Sequence, residues 1–359
     1  MEVMGLIDSF GNRCSRVVAT PGLLRLNNLT VIHDSGASDP VKLDAREVPL
    51  QELANDVIIA RGLLIFAVSP ATQYSSILLP GDIDMLIRLG FDIQFEIPSP
   101  VAMVALFHVH QNRRADLREP DEPQITPTVP IHEFQDSFGN VCSRFVAPAG
   151  RLQLYNSTLI EDSGEPDPVS PQACQMPVED LPSEVLQYLL ASRYCEVDRL
   201  LDVAGTLFAT SQPGWPRVQA VCDWVQANVT FGYHFASPTK TALDVYADRK
   251  GVCRDFQHLA ITLCRCLNIP ARYATGYLGD IGVPFVPPMD FSAWFQVYLQ
   301  DRWWTFDARN NKPRIGRVLM ATGRDAADVA ITTSFGTTWL TNFTVVTEEV
   351  AAAKPAAAQ

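Results

Sequence analysis

The stretch from Gly251 to Leu267 constrains the fold more than any other part of the chain. Glycine at its start allows a tight turn. The apolar residues that follow are spaced by three and four, at Val252, Phe256, Leu259, Leu263 and Leu267. This spacing predicts a helix that begins at Cys253 and buries one face. A thiol in the first helical turn lies near the positive end of the helix dipole and near unpaired backbone N–H groups, and both favour the nucleophilic thiolate. Cys253 is therefore either a catalytic nucleophile or an inert cysteine, since free cysteines are commonly buried.

Length and composition place the chain among ordinary globular proteins. It has 359 residues, enough for two or three domains. Its net charge of -12 and its pI near 4.9 argue against nucleic acid or an anionic membrane as a partner, because both would require a basic patch. No apolar run approaches the length of a membrane span, and the first residues lack the pattern of a signal peptide. We therefore expect a soluble protein with no nucleic-acid or membrane partner.

The cysteines favour neither a disulfide scaffold nor a metal site. Eight cysteines in a chain of this length are too few for a disulfide scaffold. Cys264 and Cys266 are only two residues apart on the predicted helix, a spacing that does not suit structural zinc. The sequence also lacks a phosphate-binding glycine loop, a zincin motif and a dinucleotide fingerprint. We therefore expect reduced thiols in a cytoplasmic protein, with no cofactor and no bound metal.

An internal repeat links two parts of the chain. Residues 8–41 align without a gap to residues 136–169, and about 22 of the 34 positions are identical. Each copy alternates apolar and polar residues between turn residues, which is typical of antiparallel strands. We interpret residues 1–84 as a partial duplicate of a β-rich domain at 85–169. Because half a sheet has open edges, we expect the partial copy to pack on the rest of the chain or on a second subunit, which would form a homo-oligomer.

The second half of the chain mixes helices and strands. Besides the helix that begins at Cys253, the pattern predicts helices at 183–191 (with Ser183 as its cap), 216–228 and 241–246. Aromatic and branched residues predict strands at Ala271–Leu278, Ser292–Leu299 and Trp303–Ala308. Strands that follow one another after helices predict an α+β domain with an antiparallel sheet. We expect this domain to span 170–348 and a disordered tail to span 349–359.

Thiol catalysis requires partners for Cys253. A base must take the thiol proton, and a third group must orient the base. Asp307 follows an aromatic strand-like run, Trp303–Phe306, in the region expected to pack beside the Cys253 helix. Asp307 is therefore a candidate orienting carboxylate, although a plain surface aspartate would show the same position.

Two segments match a known family. The sequences GVCRDFQHLAITLCRCLNIPARYATGYL and DFSAWFQVYLQDRWWTFDARNN closely resemble the bacterial transglutaminase-like superfamily. Residues 85–169 resemble the amino-terminal domain that often precedes its core, so the resemblance covers roughly 85–345. It implies a papain-like core in 170–348. It also implies that Cys253 is the nucleophile, that a histidine lies on one strand, and that Asp307 is the orienting acid on the next.

Ser292 departs from the family pattern. The family's strand commonly reads Asp-Phe-His-Ala-Trp-Phe, whereas residues 290–295 read Asp-Phe-Ser-Ala-Trp-Phe. A hydroxyl has no useful proton affinity near neutral pH and cannot replace imidazole in acid–base catalysis. Two functions stay open. One is a cysteine hydrolase or acyl-transfer enzyme that acts on peptide or protein amide bonds through a Cys253 thioester, with its activity reduced or lost or with another group as base. The other is a non-catalytic module that binds a peptide or protein in the retained cleft.

The remaining histidines are poor substitutes for the missing base. His258 lies about 140° around the helix from the thiol, so we expect it to make a polar contact inside the fold. His234 precedes the nucleophile helix and is the better candidate to approach the cleft. His108 and His110 share one face of a predicted strand, where they form a weak candidate metal pair without a third ligand. Surface positions are expected for His33 and His132.

Overall fold

The computed structural model describes residues 3–7, 13–17 and 85–350. Most of the expected partial module, including His33, and residues 351–359 of the expected tail lie outside the described residues. Among the described helices, none combines the length and the apolar character needed to cross a membrane.

Strands and short helices alternate along the described chain. The strands are β1 (Val3–Ile7), β2 (Arg13–Val17), β3 (Met85–Ile97), β4 (Val101–Ala105), β5 (Gln124–Thr126), β6 (His132–Gln135), β7 (Val141–Ala147), β8 (Gly150–Asp162), β9 (Thr230–Phe231), β10 (Lys250–Gly251), β11 (Ala271–Leu278), β12 (Ser292–Leu299), β13 (Arg302–Phe306), β14 (Arg317–Gly323), β15 (Thr332–Ser334) and β16 (Trp339–Val350). The α-helices are α1 (Val197–Leu207), α2 (Trp215–Asn228), α3 (Ala242–Asp248) and α4 (Cys253–Cys266). Short 3-10 helices lie at Gln111–Asp116, Val178–Asp180, Ser183–Leu189 and Tyr233–Phe235.

Two four-stranded antiparallel sheets form the β-rich part of the molecule. Their strand orders are β15-β4-β7-β6 and β16-β3-β8-β5. β3 and β8 alternate buried and less buried residues, and their inward side chains share one apolar core with β4 and β7. β15 and β16 come from residues 332–350, which the sequence analysis assigned to the core domain and the tail. Their partners lie far away in the chain, so no local pattern predicts this pairing.

Helix α4 packs on a second kind of layer, a four-stranded antiparallel sheet in the order β13-β12-β11-β14. Helices α1, α2 and α3 also contact α4 and help to bury it. As a result, every residue from Asp255 to Arg265 is buried, including polar side chains. This arrangement confirms the predicted α+β architecture, with a cysteine at the start of a helix that packs on an antiparallel sheet.

The elements around Cys253 follow the sequence closely. α4 begins at Cys253, and β11 and β12 have the predicted bounds. The helix predicted at 216–228 is α2, and the helix predicted at 241–246 is α3, which Thr241 caps. The element expected at 183–191 is instead a 3-10 helix over Ser183–Leu189 with Pro182, not Ser183, as its cap. Helix α1 and strand β14 were not predicted.

Two hairpins correspond to the internal repeat. β1 pairs with β2 so that Leu6 lies opposite Cys14, and β6 pairs with β7 so that Phe134 lies opposite Cys142. The number of residues from Leu6 to Phe134, and from Cys14 to Cys142, equals the number that separates the two copies of the repeat. The two regions therefore form the same strand pair in the same register.

Candidate active site

Cys253 occupies the first position of α4, directly after β10. Val252 is the extended residue before the helix, and its N–H donates a hydrogen bond to the Asp255 carboxylate at 3.0 Å. A Cβ atom on Gly251 would lie 2.6 Å from Asp255 Cβ. Gly251 is therefore required by the close approach of the Asp255 carboxylate that caps α4.

Cys253 and Ser292 line one cleft with a volume of about 370 Å³. Ser292 begins β12, and the loop between β11 and β12 (279–291) supplies much of one wall. The charged and amide residues that also line the cleft are Asp280, Asp290, Arg309, Asn310, Lys312 and Arg314. The structure thus brings together two of the three site residues that the sequence indicated.

The surroundings of Cys253 favour the neutral thiol. Burial raises the pKa of the half-buried Cys253 thiol to about 11, and the negative charge of Asp290 adds to this effect. The Arg309 guanidinium and the backbone N–H of Arg254 lower the pKa of Cys253, but they do not offset the loss of water. The position at a helix start therefore does not give Cys253 the lowered pKa that the sequence led us to expect, because removal from water raises the pKa more than Arg309 and the Arg254 N–H lower it.

Asp307 follows β13 and is buried. Its Oδ1 accepts hydrogen bonds from Gln257 Nε2 at 3.1 Å and from the N–H groups of Arg309 and Asn310 at 3.0 Å each. Its Oδ2 accepts from Asn310 Nδ2 at 2.8 Å and from the Arg317 guanidinium at 3.4 Å. A carboxylate offers about four acceptor positions. These donors therefore already occupy the carboxylate that would orient a histidine.

Arg317 places one positive charge between the Asp307 and Asp167 carboxylates. It lies at the start of β14, which pairs with β11, and its side chain is almost fully buried. The guanidinium bonds the Asp167 carboxylate with Nε at 3.1 Å and with a terminal nitrogen at 3.1 Å, and it lies 4.6 Å from the centre of the Trp294 ring. A buried carboxylate needs a partner of opposite charge. Here that partner is an arginine, whose proton does not leave near neutral pH.

Asn310 connects Asp307 to the cleft. Its side chain donates to Asp307 and it lines the cleft beside Cys253, whereas Asp307 lines a separate cavity of about 140 Å³. Asp307 therefore contacts the lining of the cleft through the Asn310 side chain. This contact is the third part of the site.

Neither of the two histidines considered as partners of Cys253, His258 and His234, lines the cleft. The buried His258 accepts a hydrogen bond at Nε2 from the N–H of Ala326 at 3.1 Å, and its ring stacks on Tyr194 with centroids 4.9 Å apart. The expectation of an internal polar contact is confirmed. His234 is exposed, its ring packs on Phe235, and it is not among the residues that line the cleft.

The other histidines belong to the β-rich part. β4 ends at Ala105, so the strand predicted through His108 and His110 stops before both of them. His108 lies between the carboxylates of Asp121 and Glu133, and His110 bonds Asn112. No group of three or more such ligands suited to a metal ion is found among the described residues. His132 is exposed on β6, as expected.

Four residues of the site were not predicted from the sequence: Asp290, Arg309, Asn310 and Arg317. The first three stand within the two matched segments, adjacent to Ser292 and Asp307, and their charge or amide was the signal available. Arg317 lies beyond both segments, on a strand that was not predicted. Its role follows only from the pairing of β14 with β11.

Comparisons with known proteins agree with this architecture. The family model of the transglutaminase-like superfamily matches residues 202–308, which include Cys253, Ser292 and Asp307. The solved structure of a candidate cysteine protease from Cytophaga hutchinsonii is 30% identical to this chain, with a TM-score of 0.65, and the match covers 76% of this chain and 92% of that one.

An uncharacterised protein of Mycobacterium leprae is 27% identical over 217 residues, which cover 58% of this chain and 76% of that protein. An uncharacterised protein of Mycobacterium tuberculosis is 25% identical over 215 residues, which cover 54% and 68% of the two chains. Together with the helix-start cysteine packed on an antiparallel sheet, these relationships show that the chain belongs to the transglutaminase-like superfamily.

Proposed function

We propose that this protein uses its transglutaminase-like cleft to bind a peptide or protein segment, and that it does not turn over amide bonds through a Cys–His–Asp triad. The cleft, at about 370 Å³, lies in the size range of ligand-binding pockets and has room for part of a peptide. The thiol beside it has a pKa of about 11, so the nucleophilic form is scarce at neutral pH.

The state of Asp307 is the observation that carries the proposal. In a working triad this carboxylate stabilises an imidazolium as it forms. Here five hydrogen bonds occupy it, and one of them comes from the Arg317 guanidinium, which also pairs with Asp167. Together with Ser292 at the family's histidine position, this leaves no acid–base partner of the family type.

An amide-turnover assay tests the proposal. The purified protein and a Cys253→Ala variant are incubated with glutamine-containing peptides and a fluorescent primary amine, and ammonia release and amine incorporation are measured. We expect the two proteins to give the same rate. A wild-type rate well above that of Cys253→Ala would overturn the non-catalytic proposal. Absence of any peptide binding, measured by fluorescence anisotropy, would overturn the binding proposal.

One observation favours a second function, acyl transfer through a Cys253 thioester. Asp290 lines the cleft with Cys253, and burial raises the pKa of its carboxyl. A carboxylate of raised pKa is a better proton acceptor than an ordinary one. In that case Asp290 would take the thiol proton, and the Asp290→Asn variant would lose any activity that depends on Cys253.

The same proposal extends to location and assembly. We place the protein in the cytoplasm, where thiols stay reduced, because the seven cysteines between residues 142 and 266 are free. Nucleic acid and membranes are not proposed as partners, given the net charge of -12. The matching registers of the β1–β2 and β6–β7 hairpins support a duplicated segment, and gel filtration would show whether the protein forms a homo-oligomer.

A further inference from the structure

The charges that line the cleft are not balanced by one another. Arg314 is paired with Asp280, and it also donates to the Gly279 carbonyl at 2.8 Å. Arg309 and Lys312 form no ion pair with any side chain in the described part of the chain. The only other acid of the lining is Asp290, so three cations face two carboxylates. A net positive cleft in a protein with a net charge of -12 is a local feature that attracts anions.

The Arg309 side chain is held by stacking, which leaves the N–H groups of its guanidinium available to a ligand. Its backbone N–H bonds Asp307 Oδ1 at 3.0 Å, and its guanidinium lies over the Phe231 ring at 3.9 Å from the centroid. Stacking uses the face of the guanidinium and leaves its edge, where the donors lie, for other groups. Within the described residues no side-chain hydrogen bond of Arg309 uses these donors. A planar fork of this kind matches a carboxylate.

Part of the cleft lining is apolar. The loop between β11 and β12 contributes Val283, Pro284, Val286, Pro287 and Met289 to the lining. Val286 is 68% exposed, and its neighbour Phe285 is 62% exposed. Exposed apolar side chains beside a cleft favour a ligand with apolar groups of its own. A ligand that satisfies both the charged and the apolar parts of the lining therefore carries a carboxylate next to an apolar side chain.

We propose that the ligand is a peptide segment whose carboxylate lies between Arg309 and Lys312, beside Cys253, with an adjacent apolar side chain against the Val286–Met289 wall. This inference rests on the proposed peptide-binding function and adds the class of ligand. The carboxylate belongs either to an Asp or Glu side chain or to a peptide C-terminus, and both offer the same pair of oxygens.

Three fluorescein-labelled octapeptide pools test the proposal by anisotropy. All have mixed apolar and small residues and one fixed central position. The first has Glu there and an amidated C-terminus, the second has Gln and an amidated C-terminus, and the third has Gln and a free C-terminus. We expect the first or the third pool to bind about tenfold more tightly than the second, which corresponds to about 1.4 kcal/mol. The difference should shrink as salt rises.

Variants of the cations assign the contact. Arg309→Met and Lys312→Met should each lower the affinity for the preferred pool several-fold more than the affinity for the Gln amide pool. Arg302→Met is the matched control, because Arg302 is exposed and also stacks on an aromatic ring, that of Trp304, but it does not line the cleft. Lys312 is exposed, so its replacement leaves the fold intact.

The outcomes separate the two proposals. If all three pools bind equally, the carboxylate class is overturned while the peptide-binding function stands. If no pool binds, both are overturned. If the Glu or free C-terminus preference survives in both Arg309→Met and Lys312→Met, the cations named here are not the ones that hold the ligand.

Discussion

At the scale of single residues, burial raises the pKa of the Cys253 thiol most, and two nearby charges then adjust how often the thiol ionises. Asp290 raises the pKa of Cys253, and Arg309 lowers it. Both residues line the cleft with the thiol. Because only the thiolate is a nucleophile, these side chains control the reactivity of Cys253 from opposite directions.

The first prediction concerns the rate at which iodoacetamide alkylates Cys253. With a thiol pKa of about 11, the wild-type rate should rise about tenfold per pH unit between pH 7 and pH 10, without a plateau. Asp290→Asn removes a negative charge and should raise the rate at pH 8 by roughly three- to tenfold. Mass spectrometry measures both rates, with the exposed Cys174 as the internal reference. A plateau near pH 7, or a rate that Asp290→Asn leaves unchanged, would contradict this account.

The second prediction concerns restoration of the histidine. Ser292→His alone should give little amide turnover, because Asn310 and Arg317 already occupy Asp307 Oδ2. Ser292→His combined with Asn310→Ala frees one acceptor position for an imidazole N–H. A positioned general base contributes roughly 10²–10⁴-fold. We therefore expect the double variant to exceed the single variant at least about tenfold in ammonia release from glutamine peptides.

Ser292→Ala combined with Asn310→Ala is the control for the second prediction, since it opens the same space without an imidazole. Any gained activity should also disappear when Cys253→Ala is added. Equal activity of the single and double histidine variants would show that Asn310 does not limit access to Asp307.

At the scale of elements, helix α4 carries a neutral histidine in its core. Burial lowers the pKa of His258 well below its ordinary value, and the guanidinium groups of Arg254 and Arg265 lower it further. A group with a lowered pKa in the fold takes up a proton more readily in the unfolded chain. The resulting stability is present above the unfolded pKa near 6.5 and is lost as pH falls below that value.

The third prediction follows from this direction of the pH dependence of stability. Between pH 7.5 and pH 5.5 the wild-type protein should lose about 1.4 kcal/mol of unfolding free energy through His258, in addition to losses from other groups. His258→Gln keeps an acceptor for the N–H of Ala326 and should remove this part of the pH dependence. Urea unfolding at pH 7.5 and at pH 5.5 measures the free energy of unfolding of each protein. His132→Gln, which changes an exposed histidine, should behave as wild type.

The elements also show what a local pattern predicts and what it does not. α4, β11 and β12 have the predicted bounds because their apolar spacing is strong and their neighbours bury the expected faces. Cys253 and Ser292 meet in one cleft because the strands follow the helix directly. The high pKa of Cys253 and the pairing of Asp307 with Arg317 were not predictable, since both depend on side chains that only the folded sheet brings together.

At the scale of the whole molecule, the strands of the β-rich part come from both sides of the core domain along the chain. β3 and β4 precede the core domain, while β15 and β16 follow it and pair with them. β16 pairs along nearly the whole length of β3, from Trp339 opposite Glu96 to Val350 opposite Leu86. Apolar residues of β11 and β14, including Tyr277 and Val318, also join the core of the two sheets. The two parts therefore depend on each other for stability.

The fourth prediction concerns truncation. A chain that ends after residue 331 lacks β15 and β16 and exposes the edge of β3, so it should lose its cooperative thermal transition or aggregate. A chain that ends after residue 350 keeps both strands and should melt like the full-length protein. Differential scanning calorimetry compares the two. A shared melting temperature would show that β16 does not contribute to the folded unit.

The position of β16 also affects how the protein is made. β3 emerges from the ribosome before both of its neighbours in the sheet, and although β8 follows soon after, residues 98–338 must be translated before its other partner, β16, exists. Throughout that time one edge of β3 is open to other chains, and pairing across so long a loop is slow. We therefore expect newly made protein to require chaperones during synthesis, and a pause in translation before residue 339 to cause aggregation.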